Sequence, residues 1–221
     1  MRCLELYSGT GSVGKVFKAH GWEVFSVDNV AKYNPTLCRD ILELSADDLP
    51  GPWDVVWASP PCQNYSKAHT KGERDLQMAD RLSLHTVGLI KALSPRIWFI
   101  ENPANGMLRK RPWMDLPFAD CSYCEYSNWG YRKNTRIWSN LWAQTSWRPK
   151  LCKKTCLNML GNKHRCSAQR GWLKGYPEDR SWSLLEFYRV PPLLIEALLN
   201  EVEEHFLRQA LTARFRLDVQ F

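Results

Sequence analysis

No apolar run in the 221-residue sequence approaches the roughly 20 residues that a membrane-spanning helix needs, which excludes a helical membrane protein. No secretory or organellar leader is expected either. Arg2-Cys3-Leu4-Glu5-Leu6-Tyr7 already reads as a core strand, so the chain is expected to begin inside its own fold with no regulatory domain upstream. Internal repeats and low-complexity segments are missing, which removes repeat arrays from consideration. Without a secretory signal, the eight cysteines are expected as reduced thiols available for catalysis or metal, in a chain working in cytosol or nucleus. Acidic residues are scarce in one region. Residues 101–180 carry six Asp+Glu against 15 Lys+Arg, whereas the first hundred carry 11 of each. That basic stretch also holds more than half of the tryptophans, which suggests a nucleic-acid face beside a neutral core. A solvated basic loop region is the plainer alternative.

What is present is an ordinary globular balance, 44% hydrophobic and 24% charged, with a length that suits one domain carrying an elaborated insertion. Cys3–Tyr7, Glu23–Val27, Val55–Ala58 and Ile97–Ile100 are short, apolar and rich in Val, Ile, Phe and Trp. Val13–Ala19 and Asp75–Leu93 show helical spacing between them. The alternation implies an α/β fold with a mostly parallel sheet, right-handed crossovers and ligands at the carboxyl ends of the strands. From about 105 to 180 the pattern breaks into prolines, cysteines and basic clusters, with Arg136–Trp138 as one further strand. A helix over Leu193–Ala213, opened by Pro191-Pro192, then packs on the sheet. The expected organisation is a core of 1–105 and 181–221 with a basic, Cys/Trp-rich insertion at 106–180.

Gly9-Thr10-Gly11-Ser12-Val13-Gly14 follows the first strand and opens the first helix, where glycines permit a tight turn and close approach of a ligand. Asp28 ends the second strand, placed for a ribose diol, and Asp40-Ile41 stand where an adenine amino group would lie. This spacing also fits a nicotinamide dinucleotide, and a tight turn without any ligand stays open. Ala58-Ser59-Pro60-Pro61-Cys62-Gln63 puts a thiol at the same sheet edge. Trp98-Phe99-Ile100 delivers Glu101-Asn102-Pro103 to the neighbouring strand end. A thiol and a carboxyl so placed supply a nucleophile and a proton donor, with a third group from Tyr131–Arg136. Cys62 as buried packing is the alternative.

At these residues the chain resembles the cytosine carbon-5 methyltransferases. Leu4-Glu5-Leu6-Tyr7-Ser8-Gly9-Thr10-Gly11 looks like their S-adenosylmethionine loop, Pro61-Cys62-Gln63 their nucleophile motif and Glu101-Asn102 their glutamate motif. Tyr188-Arg189-Val190-Pro191-Pro192-Leu193-Leu194 resembles their closing motif, and all four come in the family's order. The resemblance implies a Rossmann-like S-adenosylmethionine-dependent methyltransferase fold with helices on both faces of the sheet. It implies the cofactor at Tyr7, Ser8, Gly9, Thr10, Gly11, Ser12, Val13, Asp28, Asn29, Asp40, Ile41 and Pro60. Cys62 would attack carbon 6 of cytosine, Glu101 would stabilise nitrogen 3, and the methyl group would go to carbon 5 of a base flipped out of duplex DNA. RNA remains an alternative substrate. Two departures stand out: Pro103 follows Glu101-Asn102 where the family has Val, and of its Gln-x-Arg-x-Arg motif only Arg136 matches. Arg136 is the expected third catalytic group. The recognition segment, about 139–180, is short, which favours a short or loosely read target in a compact enzyme of phage, viral or bacterial kind, acting as a monomer.

Cys121-x2-Cys124, Cys152-x3-Cys156, His164 and Cys166 all fall in the basic insertion, and two close pairs with a following His or Cys resemble zinc spacing. The expected ligands are Cys124, Cys152, Cys156 and His164, with Cys166 or Cys121 as substitutes. Unliganded thiols remain the alternative. Rival readings of the whole chain are a nicotinamide oxidoreductase and a non-enzymatic, zinc-stapled nucleic-acid binder.

Overall fold

Side-chain alternation along the apolar strands decides the layers of this protein. The computed structural model describes residues 1–66, 73–167, 171, 172 and 184–218. In chain order the core elements are β1 (Arg2–Leu6), α1 (Ser12–Ala19), β2 (Glu23–Asp28), β3 (Leu37–Cys38), β4 (Val55–Ala58), α2 (Leu76–Leu93) and β5 (Ile97–Pro103). They are followed by β6 (Phe118–Ser122), β7 (Tyr131–Arg132), β8 (Asn134–Ser139), β9 (Met159–Leu160), β10 (Lys163–His164), β11 (Cys166–Ser167), β12 (Gly171–Trp172), α3 (Leu184–Tyr188) and α4 (Pro192–Asp218). A seven-stranded sheet runs in the order β3-β2-β1-β4-β5-β8-β6. Strands β1 to β5 pair in parallel, while β8 is antiparallel to both β5 and β6.

Cys3, Val55, Trp57, Ile97 and Phe99 point to one face and pack with Val13 and Phe17 of α1 and Leu194, Leu198 and Val202 of α4. Leu4, Leu6, Val56, Ala58 and Ile100 point to the other and pack with Ala79, Val87 and Ile90 of α2. Helices therefore cover both faces, as expected. Each such side chain, fully buried, contributes about 1.5–3 kcal/mol relative to its exposed state. The Asp75 carboxylate starts α2 by accepting the Met78 N–H at 2.8 Å.

The sheet extends further into the sequence than its pattern suggests. Residues 105–180, read as irregular apart from Arg136–Trp138, contain β6 and a longer β8, which complete the same sheet. The segment Phe118-Ala119-Asp120-Cys121-Ser122 escapes a hydrophobic reading because it is an edge strand: Phe118 is exposed and Asp120 pairs with Arg136 of β8. The helix α4 begins at Pro192 and continues to Asp218, five residues past the expected end. Residues 168–170 and 173–180 of the expected recognition segment lie outside the described residues, as does the 180/181 boundary of the expected insertion.

A carboxyl side chain sits inside this core. Glu5 of β1 is buried beneath the start of α1, where its Oε1 accepts the Val13 N–H at 3.3 Å and its Oε2 the Gly14 N–H at 3.0 Å. Burial pushes its carboxyl up to about 7, opposed by those two amides and by Lys18 and Lys15. Two of the donors that a helix leaves unpaired at its first turn are thereby satisfied. A Cβ on Gly14 would lie 2.5 Å from Glu5 Oε2 and 3.0 Å from Val24 Cγ1. Alanine ordinarily stabilises a helix interior over glycine by about 1 kcal/mol. Here the sign is expected to reverse, so Gly14→Ala should lower the melting temperature; a rise would contradict the Glu5 contact.

Candidate active site

Register brings the site's strands to one line. Leu6 pairs with Val27 and with Ala58, and Ala58 pairs with Ile100. The next residues, Tyr7, Asp28, Ser59 and Glu101, therefore form one row at the carboxyl edge, where the strand order also reverses between β1 and β4.

At the β1 end the chain turns sharply, with Tyr7 (φ 58°), Gly9 (φ 48°) and Gly11 (φ 67°) all left-handed. The last two are glycines because that conformation carries no Cβ penalty there. The Gly9 N–H donates to Asp28 Oδ2 at 2.8 Å and the Val30 N–H to Oδ1 at 2.9 Å, so Asp28 locks the loop to β2. Each carboxylate oxygen keeps a second lone pair for a ligand hydroxyl. A Cβ added at Gly9 would meet nothing within 4 Å, so open space lies above the turn. The Tyr7 hydroxyl lies 2.8 Å from that of Thr86, and burial pushes its pKa up. Ser8 is buried and Thr10 half-buried, while Asn29 is exposed just beyond β2. Asp40 caps a short turn by accepting the Leu42 N–H at 2.9 Å, and Ile41 is buried behind it. Left-handed glycines, open space and an acidic strand end together fit a nucleoside-bearing cofactor. The closing motif reaches this loop too, since the Val190 N–H donates to Ser12 Oγ at 3.3 Å.

The Cys62 loop is fixed from three sides. Asn102 Nδ2 donates to the Pro60 carbonyl at 3.0 Å, joining the thiol motif to the glutamate motif. Tyr65, fully buried, donates to Asp80 at 2.6 Å and so ties the loop to α2. Gln63 Nε2 donates to the Tyr188 hydroxyl at 3.0 Å. Burial pushes the half-buried Cys62 thiol up in pKa, the Lys133 ammonium pulls it down and Glu101 pushes it up again.

Glu101 is 6% exposed. Its Oε1 accepts the Tyr123 hydroxyl at 3.0 Å and the Thr135 hydroxyl at short range, and Lys133 Nζ stands 4.0 Å away. Arg136 is not brought to this group. It pairs in register with Asn102, one residue off Glu101, and so projects to the opposite face of the sheet. There its Nε and Nη2 donate to the two oxygens of Asp120 at 2.7 and 2.9 Å, and its guanidinium lies 3.5 Å from the Phe118 ring centroid. Strand parity was the available signal: Lys133, Thr135 and Ile137 share the face that Arg136 leaves. Tyr123 carried no sequence signal of its own.

Cys124, Cys152, Cys156 and His164 converge, with one ligand atom from each lying within 4.8 Å of all the others. His164 Nε2 is 3.4 Å from Cys152 Sγ and 3.3 Å from Cys156 Sγ. The substitutes do not join them: Cys121 is buried in β6 near Glu101, and Cys166 lies in β11. Buried Asn158 builds the surrounding loop, donating to the Cys124 and Ser127 carbonyls and accepting the Gly130 N–H.

Comparison with known proteins matches this arrangement. The family model described as C-5 cytosine-specific DNA methylase matches residues 1–112. The chain is 34% identical to a probable DNA (cytosine-5)-methyltransferase of Frog virus 3 (isolate Goorha), over 90% of this chain and 99% of that one. It is 29% identical to the type II methyltransferase M.FnuDI of Fusobacterium nucleatum, over 50% of this chain and 34% of the relative. A putative DNA modification methyltransferase encoded within an Escherichia coli prophage shares the fold, with a TM-score of 0.52 and 17% identity over 91% of this chain and 69% of that one. On the strength of the matched family model and the nearly full-length viral relative, the chain belongs to the C-5 cytosine-specific DNA methylase family.

Proposed function

We propose that this chain methylates carbon 5 of cytosine in DNA, with Cys62 as nucleophile and Glu101 as the group at ring nitrogen 3. The observation that carries the reading is the joining of two adjacent strand ends: Asn102, beside Glu101, donates to the carbonyl of Pro60, two residues before Cys62. S-adenosylmethionine, bound over the Gly9–Gly11 turn, supplies the methyl group. Cys62 as thiolate forms a bond to carbon 6, and the electron pair of the 5,6 double bond is driven towards carbon 5 while Glu101, as the proton donor, supplies the hydrogen that holds nitrogen 3 and takes it back when Cys62 leaves. Methyl transfer would leave the cofactor as its thioether. The carbon 5 proton then passes to water, the electron pair of that bond re-forms the 5,6 double bond and the Cys62 thiolate leaves, so the protein ends as it began.

The target base is buried in a duplex and must be flipped into the site, at about a few kcal/mol of lost stacking and pairing. Exposed Arg109, Lys110, Arg132, Lys150, Lys153, Lys154 and Lys163 favour phosphate contacts that offset this. The expected result is methyl incorporation into duplex DNA in preference to tRNA, abolished by Cys62→Ala with cofactor binding retained. Preferential labelling of tRNA would move the substrate to RNA, and turnover surviving Cys62→Ala would overturn the assigned nucleophile.

The second part of the reading is a structural zinc ion held by Cys124, Cys152, Cys156 and His164. Three thiols and an imidazole are a donor set of structural zinc, and their ligand atoms, all within 4.8 Å of one another, are close enough to surround one ion. The ion would hold together a segment of two-residue strands with little core of its own. Cys124 directly follows Tyr123, so the same staple would fix the tyrosine that donates to Glu101. The purified protein is expected to carry about one zinc per chain by elemental analysis. Cys156→Ser should reduce that content and lower the melting temperature; a metal-free protein with an unchanged melting curve after chelation would contradict the staple.

A further inference from the structure

The family's arginine motif survives here only at Arg136, which is spent on Asp120 across the sheet from Glu101. Yet the proposed chemistry sets a thiolate beside a carboxyl group in a buried site. An anion there is favoured by a nearby cation. Lys133 is the cation beside that carboxyl. Its side chain is 16% exposed, its Nζ lies 4.0 Å from Glu101 Oε1 and its charge acts on Cys62 as well. Two contacts hold it there. The ammonium donates to the Phe187 carbonyl of α3 at 3.1 Å and lies 4.7 Å from the centroid of the Tyr123 ring. Such a contact over an aromatic face strengthens as water is excluded.

Glu101 is arranged asymmetrically around this lysine. Among the described residues, Tyr123, Thr135 and Lys133 all meet Oε1 rather than Oε2.

We propose that Lys133 is the positioning cation of this catalytic centre, standing in for the missing arginine: its ammonium, braced by the Phe187 carbonyl and the Tyr123 ring, sits against Glu101 and balances the negative charge that Cys62 takes up as nucleophile. This rests on the Cys62–Glu101 reading above. The charged and titratable groups facing Cys62 are Lys133, Glu101 and the Tyr188 hydroxyl, and those facing Glu101 are Lys133, Tyr123, Cys121 and Cys62. Among the described residues, Lys133 is the cation in both sets. Its contact with α3 also links the charge of the site to the segment that precedes the closing motif.

The test compares the intact protein with Lys133→Met and Lys133→Arg. Alkylation of Cys62 by iodoacetamide, followed across pH by mass spectrometry of the Cys62 peptide, reads thiolate formation without substrate. Adduct formation with duplex DNA carrying 5-fluorocytosine, followed across the same pH range, reads attack on the base. Lys133→Met is expected to move both midpoints up by about one pH unit or more, and Lys133→Arg to restore most of the shift. Coincident midpoints for all three proteins would overturn the proposal. Should Lys133→Met fail to fold, Lys133→Gln with the same two readouts replaces it. A wild type whose Cys62 is alkylated normally but forms no adduct would overturn the underlying reading, and this inference with it.

Discussion

The pairing register of four parallel strands governs everything at the site. With Leu6 opposite Val27 and Ala58, and Ala58 opposite Ile100, the first residues beyond the strands arrive in one row. A slip of one position in β5 would turn Glu101 to the α2 face and put Ile100 or Asn102 where the carboxyl belongs. The register is protected by the core itself, because Trp57 and Phe99 pack at 5.3 Å between centroids on one face while Val56 and Ile100 fill the other. Stability and chemistry thus draw on the same alternation.

Around that row the protein balances buried charge by local means. Glu5 meets the first amides of α1, Asp28 accepts two loop amides, and Glu101 is held by two hydroxyls with a lysine beside it. Each carboxylate has its partners in place, which is the condition under which buried charge is tolerable. The same contacts bind separate motifs to each other: Ser12 to Val190, Gln63 to Tyr188, Pro60 to Asn102. Cofactor turn, thiol loop, glutamate strand and closing segment form one connected structure although up to 178 residues separate the bonded partners.

The parts of this organisation that repeat with a short period were legible in the sequence. Four of the five parallel strands, the helices α1, α2 and α4 and the positions of Cys62 and Glu101 follow from apolar runs and helical spacing ended by Gly, Pro and polar residues, whereas the two-residue β3 is too short to show. The four expected metal ligands, drawn from six candidates, come together in space. Strand β6 was not legible, because an exposed Phe118 and a paired Asp120 disguise it as loop. Nor was the side to which Arg136 points, since that depends on β8 pairing antiparallel with β5. Glycine spacing alone left a dinucleotide enzyme open; the thiol and carboxyl on adjacent strands separated the two chemistries. Lys133 and Tyr123 become visible only when β8, the turn after β6 and α3 are folded against one another.

The most direct measurement mixes the protein with S-adenosylmethionine and duplex DNA carrying 5-fluorocytosine and resolves the products on a denaturing gel. Fluorine cannot leave carbon 5 as a proton does, so a nucleophile bonded to carbon 6 stays bonded. The account predicts a denaturant-stable protein–DNA adduct that is lost in Cys62→Ala. Absence of an adduct from a protein that demonstrably binds S-adenosylmethionine would contradict it.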